Sequence, residues 1–297
     1  MPFHSLPDGS FSVRAALDLG VTASQLRSSQ LARPFWGVRS TQELAGTGLV
    51  RAFAHRMPAR AFIYGSSAAL LHQLPLPARL TRSALPVHVG VPSGTRRPSA
   101  RDVTAHHVSI AEKDVVLVHD ISVTALERTW CDLAAIGLSL GELVAAGDAL
   151  LWRKHPRSSI GALRAAAGRY NGRRGARVIR TALPLLTDRS DSAPESEIRV
   201  AFFLAGLPAP RVNEEIRIGG RLIATPDLSW PEFRVIVEYE GDHHRTDAVQ
   251  WHRDIERYAR LQELGWIVIR ATAADYRDPT RLIARVQAAL SSGRSAS

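Results

Sequence analysis

Along the last third of the chain the spacing of apolar positions changes from helical to strand-like and back in a regular order. Residues 195–204 carry apolar side chains at helical spacing and stop at Gly206 and Pro208. EEIRIGGRLIATPDLSW reads as strand, Gly219-Gly220 turn, strand, since paired glycines supply the left-handed backbone that a two-residue hairpin needs. FRVIVEYEG is a buried strand. DAVQWHRDIERYARLQELG is an amphipathic helix with Trp251, Ile255, Tyr258, Leu261 and Leu264 on one face, closed by Gly265. WIVIRAT is a further strand, and PTRLIARVQAALS a last helix with Pro279 at its start. The expected order over 191–290 is α-β-β-β-α-β-α, an α/β core.

The earlier chain predicts smaller pieces. Residues 12–19 and 22–31 read as two short helices parted by Gly20-Val21, with Thr22 as N-cap of the second. Pro34, Trp36 and Val38 then suggest a turn and short strand, so 1–44 has the outline of a winged helix-turn-helix with Gln25, Arg27 and Gln30 towards a groove. Residues 59–72 read as a strand feeding a helix stopped by PLP, LPVHVGVP as a strand, 115–118 as another, and 123–135 and 140–152 as amphipathic helices. Together 45–152 form a mixed α+β domain. Its histidines, His72, His88, His106, His107 and His119, have no metal-ligand spacing and read as ordinary surface or capped residues. Residues 153–190, with helical patterns in IGALRAAAGRY and GARVIRTALPLL, read as a basic helical linker that ends at the Ser/Asp/Pro-rich TDRSDSAPES. Residues 291–297 read as a disordered tail.

Composition narrows the function classes. The 297 residues carry 38 Lys+Arg against 28 Asp+Glu, a net +10, and their length suits two domains. No apolar run approaches the roughly 20 residues of a spanning helix, and the N-terminus lacks the pattern of a secretory signal. A single cysteine, Cys131, excludes an intramolecular disulfide and a multi-Cys metal site. The expectation is a soluble cytoplasmic protein with no membrane partner and no small-molecule cofactor. The charge is uneven: residues 1–190 are net +12 and residues 191–290 net −3. From 152 to 187 there are nine basic residues and no acidic one. Arg153, Lys154, Arg173, Arg174, Arg177 and Arg180, with Arg27, are therefore candidates for nucleic-acid phosphate contacts, a solvated basic surface being the alternative.

The carboxylates carry the chemistry. Asp227 follows Pro226 at the end of the second hairpin strand. Glu238 and Glu240 are two apart on the next strand and so project to one face. Acids that interrupt a buried apolar strand are costly unless a cation or hydrogen bonds compensate them. Acids so placed on paired strands can hold a divalent metal by oxygen ligands and leave positions for water and phosphate. The following loop, GDHHRTD, offers His243 and His244, either able to exchange protons near neutral pH.

PDLSW, EYEGDHHR, the W-x-x-D-x-x-R of the next helix and GWIVIR together resemble the PD-(D/E)xK nuclease superfamily, and more closely an uncharacterised bacterial endonuclease-domain family related to very-short-patch-repair endonucleases. The resemblance covers about 191–290 and implies a restriction-endonuclease-like core. It implies Asp227 and Glu238 as ligands of Mg²⁺ or Mn²⁺, Glu195 as the acid of the first helix, and His244 as the motif histidine, with His243 its neighbour. It also implies hydrolysis of nucleic acid, above all double-stranded DNA, to 5′-phosphate and 3′-hydroxyl ends. Glu240 stands where the superfamily has lysine, which leaves the base open. Asp254 and Arg257, one helical turn apart, read as a structural pair near the site. GVT-x-x-x-LR, the PLP and VTALERTWCDLAA more loosely resemble AbiEi-type antitoxin winged helices, so a DNA-binding regulator or a defence-associated interaction protein with an inactive nuclease fold is the competing expectation.

Overall fold

A computed structural model describes residues 9–81, 86–240 and 248–293, the side chains of 248–255 excepted. By its contacts the chain divides into two units, 1–137 with 162–179 and 138–161 with 180–297. The division runs through the basic stretch read above as a linker. Leu163, Ala166, Tyr170, Ala176 and Ile179 are buried, so the apolar stripe between those arginines is core rather than connector.

In the first unit β1 (Ser10–Ser12) leads into α1 (Val13–Asp18), whose N-cap Ser12 Oγ accepts from Ala15 N at 3.0 Å. β2 (Val38–Ser40) pairs antiparallel with β1. The second helix expected at 22–31 does not form; a single 3₁₀ turn, Gln25–Arg27, stands there. Thr22 does cap it, taking Gln25 N at 3.3 Å while Gln25 Oε1 takes Thr22 N at 2.8 Å. Ser28 then draws the next backbone amide but one, Gln30 N, onto its own hydroxyl, a local bond that competes with helix. Val21, Leu26 and Leu31 pack on Phe11 and Ala16, and no helix-turn-helix results.

α2 (Thr47–Ala54), β3 (Phe62–Ile63), α3 (Gly65–Leu71), α4 (Ala78–Thr81), β4 (Val87–Val91), β5 (Val103–His107), β6 (Val115–Val118), β7 (Ile121–Thr124) and α5 (Leu126–Ala135) follow. The strands form one mixed sheet in the order β5-β4-β3-β7-β6. Alternation along β4 sends Val87, Val89 and Val91 into a core with Phe53, Ile63 and Val123, and turns His88 to the other face.

In the second unit α6 (Leu140–Leu151) begins with a Ser139/Glu142 capping box. α7 (Ile160–Arg169) and α8 (Ala176–Ala182) cross the division. α9 (Ala193–Leu204), capped by Ser192, packs against α6. β8 (Arg211–Val212) precedes a separate hairpin, β9 (Ile216–Ile218) and β10 (Arg221–Ala224), that turns at Gly219-Gly220 with φ of 57° and 80°. Then come β11 (Leu228–Trp230), β12 (Val235–Glu240), α10 (Ala248–Glu263), β13 (Ile267–Thr272), α11 (Ala273–Arg277) and α12 (Thr280–Gly293). The sheet order is β13-β12-β11-β8, with β12 parallel to β13 and antiparallel to β11. The stretch read as one hairpin strand is two: Pro226 has no amide for a ladder, and after Asp227 the chain enters β11 in a different sheet. α11, not expected, is started by a Thr272/Asp275 capping box. Leu228, Trp230, Val235, Val237 and Ile269 bury against Ile198, Phe202, Leu282 and Val286; Ile236 faces the other way, towards Ile216, Leu261 and Trp266. Among the described residues no helix is long and apolar enough to cross a membrane.

Candidate functional site

The register of β11 and β12 decides where the acids meet. Leu228 lies opposite Val237 and Ser229 opposite Ile236. Continued by one residue, that register sets Asp227 across from Glu238, on the face that Ile236, Glu238 and Glu240 share. Asp227 Oδ2 accepts the Tyr239 amide at 2.7 Å, and its own carbonyl accepts from Asn213 N at 3.0 Å.

Glu195 comes from the first turn of α9, placed there by the Ser192 cap. It is buried, and its Oε2 accepts from Asp191 N at 3.0 Å and Asn213 Nδ2 at 2.9 Å. Glu238 is buried with Arg257 at 3.6 Å. Glu240 is bonded directly to Arg270 Nε of β13. Burial, then the charges of Glu195 and Glu238, push the Asp227 carboxyl up to about 8; the Tyr239 amide and Arg257 only partly offset them. Glu195, Asp227 and Glu238 are thus one electrostatic cluster, while Glu240 is committed to an arginine.

Two residues of this cluster escaped the sequence reading. Asn213 holds Glu195 and Asp227 in place together and also donates to Arg189 O at 2.9 Å. Its φ is 43°, and asparagine is among the few residues that tolerate that region, which was the available signal in RVNEE. Arg270 lies in WIVIRAT, read as a further strand and as part of the GWIVIR motif, but nothing in that run singled out its side chain.

Beside Asn213 lies a cavity of about 530 Å³ lined also by Arg153, Arg189, Arg217, Glu214, Glu215 and Thr225, with Arg217 paired to Glu215 at 2.7 Å. Of the basic candidates, Arg153 is here. Lys154 is paired with Asp191 at 3.0 Å. Arg173 and Arg174 line a different cavity, in the first unit. Arg27, Arg177 and Arg180 are exposed. His243 and His244 lie outside the described residues, as does the side chain of Asp254, so the Asp254–Arg257 pair is not described.

The donor chemistry suits a hard divalent cation: oxygen ligands from Asp227 and Glu238, crowded by Glu195 so that added positive charge relieves repulsion. Among the described residues no group of three His, Cys, Asp or Glu side chains is placed to hold a metal ion.

Comparison with known proteins gives relatives but no function. The chain is 29% identical over 273 residues to Uncharacterized protein MT2308 of Mycobacterium tuberculosis strain CDC 1551 / Oshkosh, covering 92% of this chain and 97% of that protein. The same values relate it to Uncharacterized protein Rv2248 of strain ATCC 25618 / H37Rv. No protein-family model matches. No solved structure matches.

Proposed function

We propose that this chain is a cytoplasmic, divalent-metal-dependent endonuclease that hydrolyses phosphodiester bonds of nucleic acid, double-stranded DNA first, through its second unit. The observation that carries the reading is the buried meeting of Glu195, Asp227 and Glu238, where burial first and the two neighbouring charges second raise the Asp227 carboxyl to about 8. In this reading Asp227 and Glu238 hold Mg²⁺ or Mn²⁺, which when bound stabilises charge on the scissile phosphate and makes a water more acidic. Glu195 holds the Asp191 amide and, through Asn213, the start of β11. Arg153, Arg189 and Arg217 draw the phosphate backbone to the adjoining cavity. Glu240, engaged by Arg270, is not the proton acceptor. That role falls to His244, outside the described residues.

The competing regulator reading rests on the looser resemblance of the earlier chain, and the recognition helix it would use at 22–31 is a 3₁₀ turn. The deciding experiment incubates the purified chain and its Asp227→Ala variant with supercoiled plasmid in Mg²⁺, Mn²⁺ or EDTA. Nicking or linearisation by the parent with metal, absent in EDTA and absent in the variant, is expected. Equal cleavage by both proteins moves the chemistry elsewhere; none by either removes the activity.

A further inference from the structure

The first unit holds a second concentration of chemistry that the carboxylate cluster does not use. β4 and β5 run in parallel with His88 beside Thr104 and Gly90 beside His106, so both histidines face one side. Their rings stack at 5.2 Å between centroids, with His88 Nδ1 3.0 Å from His106 Nε2. Burial holds both imidazoles neutral, His88 down to about 4. Tyr64 leans on His106 at 5.0 Å.

Arginines complete the surround. Arg128 is only 6% exposed. It bonds Asp132 through Nε at 2.9 Å and Ser109 O through Nη1 at 3.3 Å, which leaves Nη2 for a guest. Arg128 and Arg173 both lie over Tyr170, at 5.3 and 5.4 Å, and Arg173 also donates to Ser109 O at 2.6 Å. Gly175, at φ 88°, brings the Arg173-Arg174 turn this close: a Cβ there would stand 2.7 Å from the Ala134 carbonyl carbon at the end of α5. These side chains line a cavity of about 470 Å³.

We propose that this cavity binds a phosphomonoester of nucleotide size, its phosphate taken by Arg128, Arg173 and Arg174 with an imidazole N–H of the His88–His106 pair. The volume falls in the small-ligand range. The charge nearby is positive, with Arg128, Arg169, Arg173 and Arg174 against Asp114 and Asp132. The floor is polar as well: Tyr64 and Tyr170 line it, and the charge of the buried Asp132 acts on both hydroxyls. A guanidinium as deep as that of Arg128 is beyond the reach of an internal phosphodiester on a duplex, whereas a terminal phosphate can enter. That phosphate belongs to a free nucleotide or to the 5′ end of a strand, and the test separates them.

Isothermal titration of the full chain, in EDTA to stop divalent-dependent chemistry, is made with adenosine 5′-monophosphate, with adenosine, and with a short oligonucleotide bearing a 5′-phosphate or a 5′-hydroxyl. Saturable binding of the monophosphate and none of adenosine is expected. Arg173→Gln, Arg174→Gln and His106→Gln should each weaken it roughly tenfold or more, the value of one charge-assisted hydrogen bond, with circular dichroism showing each variant folded. Displacement of the monophosphate by the 5′-phosphorylated strand alone assigns the site to strand ends; failure of either strand to compete assigns it to free nucleotides. Absence of saturable binding, equal binding of adenosine, or unchanged affinity in a folded double variant of Arg173 and Arg174 overturns the proposal.

Discussion

The second unit buries two aspartates in opposite ways. Asp148 on α6 is 1% exposed and fully answered: Arg199 Nη2 and Ser196 Oγ each reach Oδ2 at 2.7 Å, and Thr187 N reaches Oδ1 at 2.8 Å. Burial still lifts its carboxyl to about 6, with Arg199 pulling back. Asp227 accepts one backbone amide at 2.7 Å, and burial, followed by the charges of Glu195 and Glu238, raises it to about 8. The first arrangement ties α6 to α9 and spends its charge on the fold. The second crowds carboxylates together at the start of β11, which is where an added cation gains most.

If that contrast is right, substitution should separate activity from stability. The largest effect belongs to Asp227→Ala: plasmid cleavage falls about 10³-fold or more, since a lost cation removes several kcal/mol of transition-state stabilisation. Filter binding of DNA in EDTA stays at the parent level. Asp148→Ala should do the reverse to the fold, costing about 3–5 kcal/mol in urea melts because Arg199 is left buried without its partner. Equal stability losses in the two variants would erase the distinction.

A pH series sharpens it. The Asp148 carboxyl is higher in the folded chain than in the unfolded one, so the folded state holds that proton more tightly. Its favourable share is whole below about pH 3.9 and is lost as pH rises through about 6. Between those values the parent should lose about 2–3 kcal/mol relative to Asp148→Asn, and a flat difference would rule this out.

Smaller effects test the supports. Asn213→Ala takes the side-chain donor from Glu195 and from Arg189 O while the backbone bond to the Asp227 carbonyl remains, and a tenfold loss of cleavage with about 1 kcal/mol of stability is expected. Unchanged single-turnover rates would make Asn213 a purely structural turn. Least of all, Arg153→Gln or Arg217→Gln should each lower the slope of log affinity against log salt by about 0.9 on duplex DNA. An unaltered slope removes that arginine from the backbone path.

The patterned parts of the chain were legible because their periods are strong. α9, β12, β13 and α12 each pack an apolar face whose spacing is visible in one dimension, and the Gly219-Gly220 hairpin announces its own turn. The 22–31 stretch misled for a related reason. Its cap is real, but capping only starts a helix, and serine bonding with the local backbone together with packing of Leu26 and Leu31 ended it after one turn. Residues 153–190 read as a basic helical linker because arginines dominate the count, while a few buried apolar positions between 163 and 179 decided the packing.

By itself the sequence determined which acids share a direction: spacing of two on one strand puts Glu238 and Glu240 on a common face, and Asp227 follows Pro226 just ahead of that strand. Only tertiary structure decided how they divide. Register set Asp227 against Glu238, Arg270 from β13 took Glu240 away, and Asn213 tied Glu195 to the start of β11. The same holds for His88 and His106, eighteen residues apart and ordinary in sequence, which parallel pairing of β4 and β5 brings within 3.0 Å. Local spacing fixes the direction of a side chain along its own element. Which partner it meets depends on strand register and helix packing, which are set by burial of apolar faces distant in the chain.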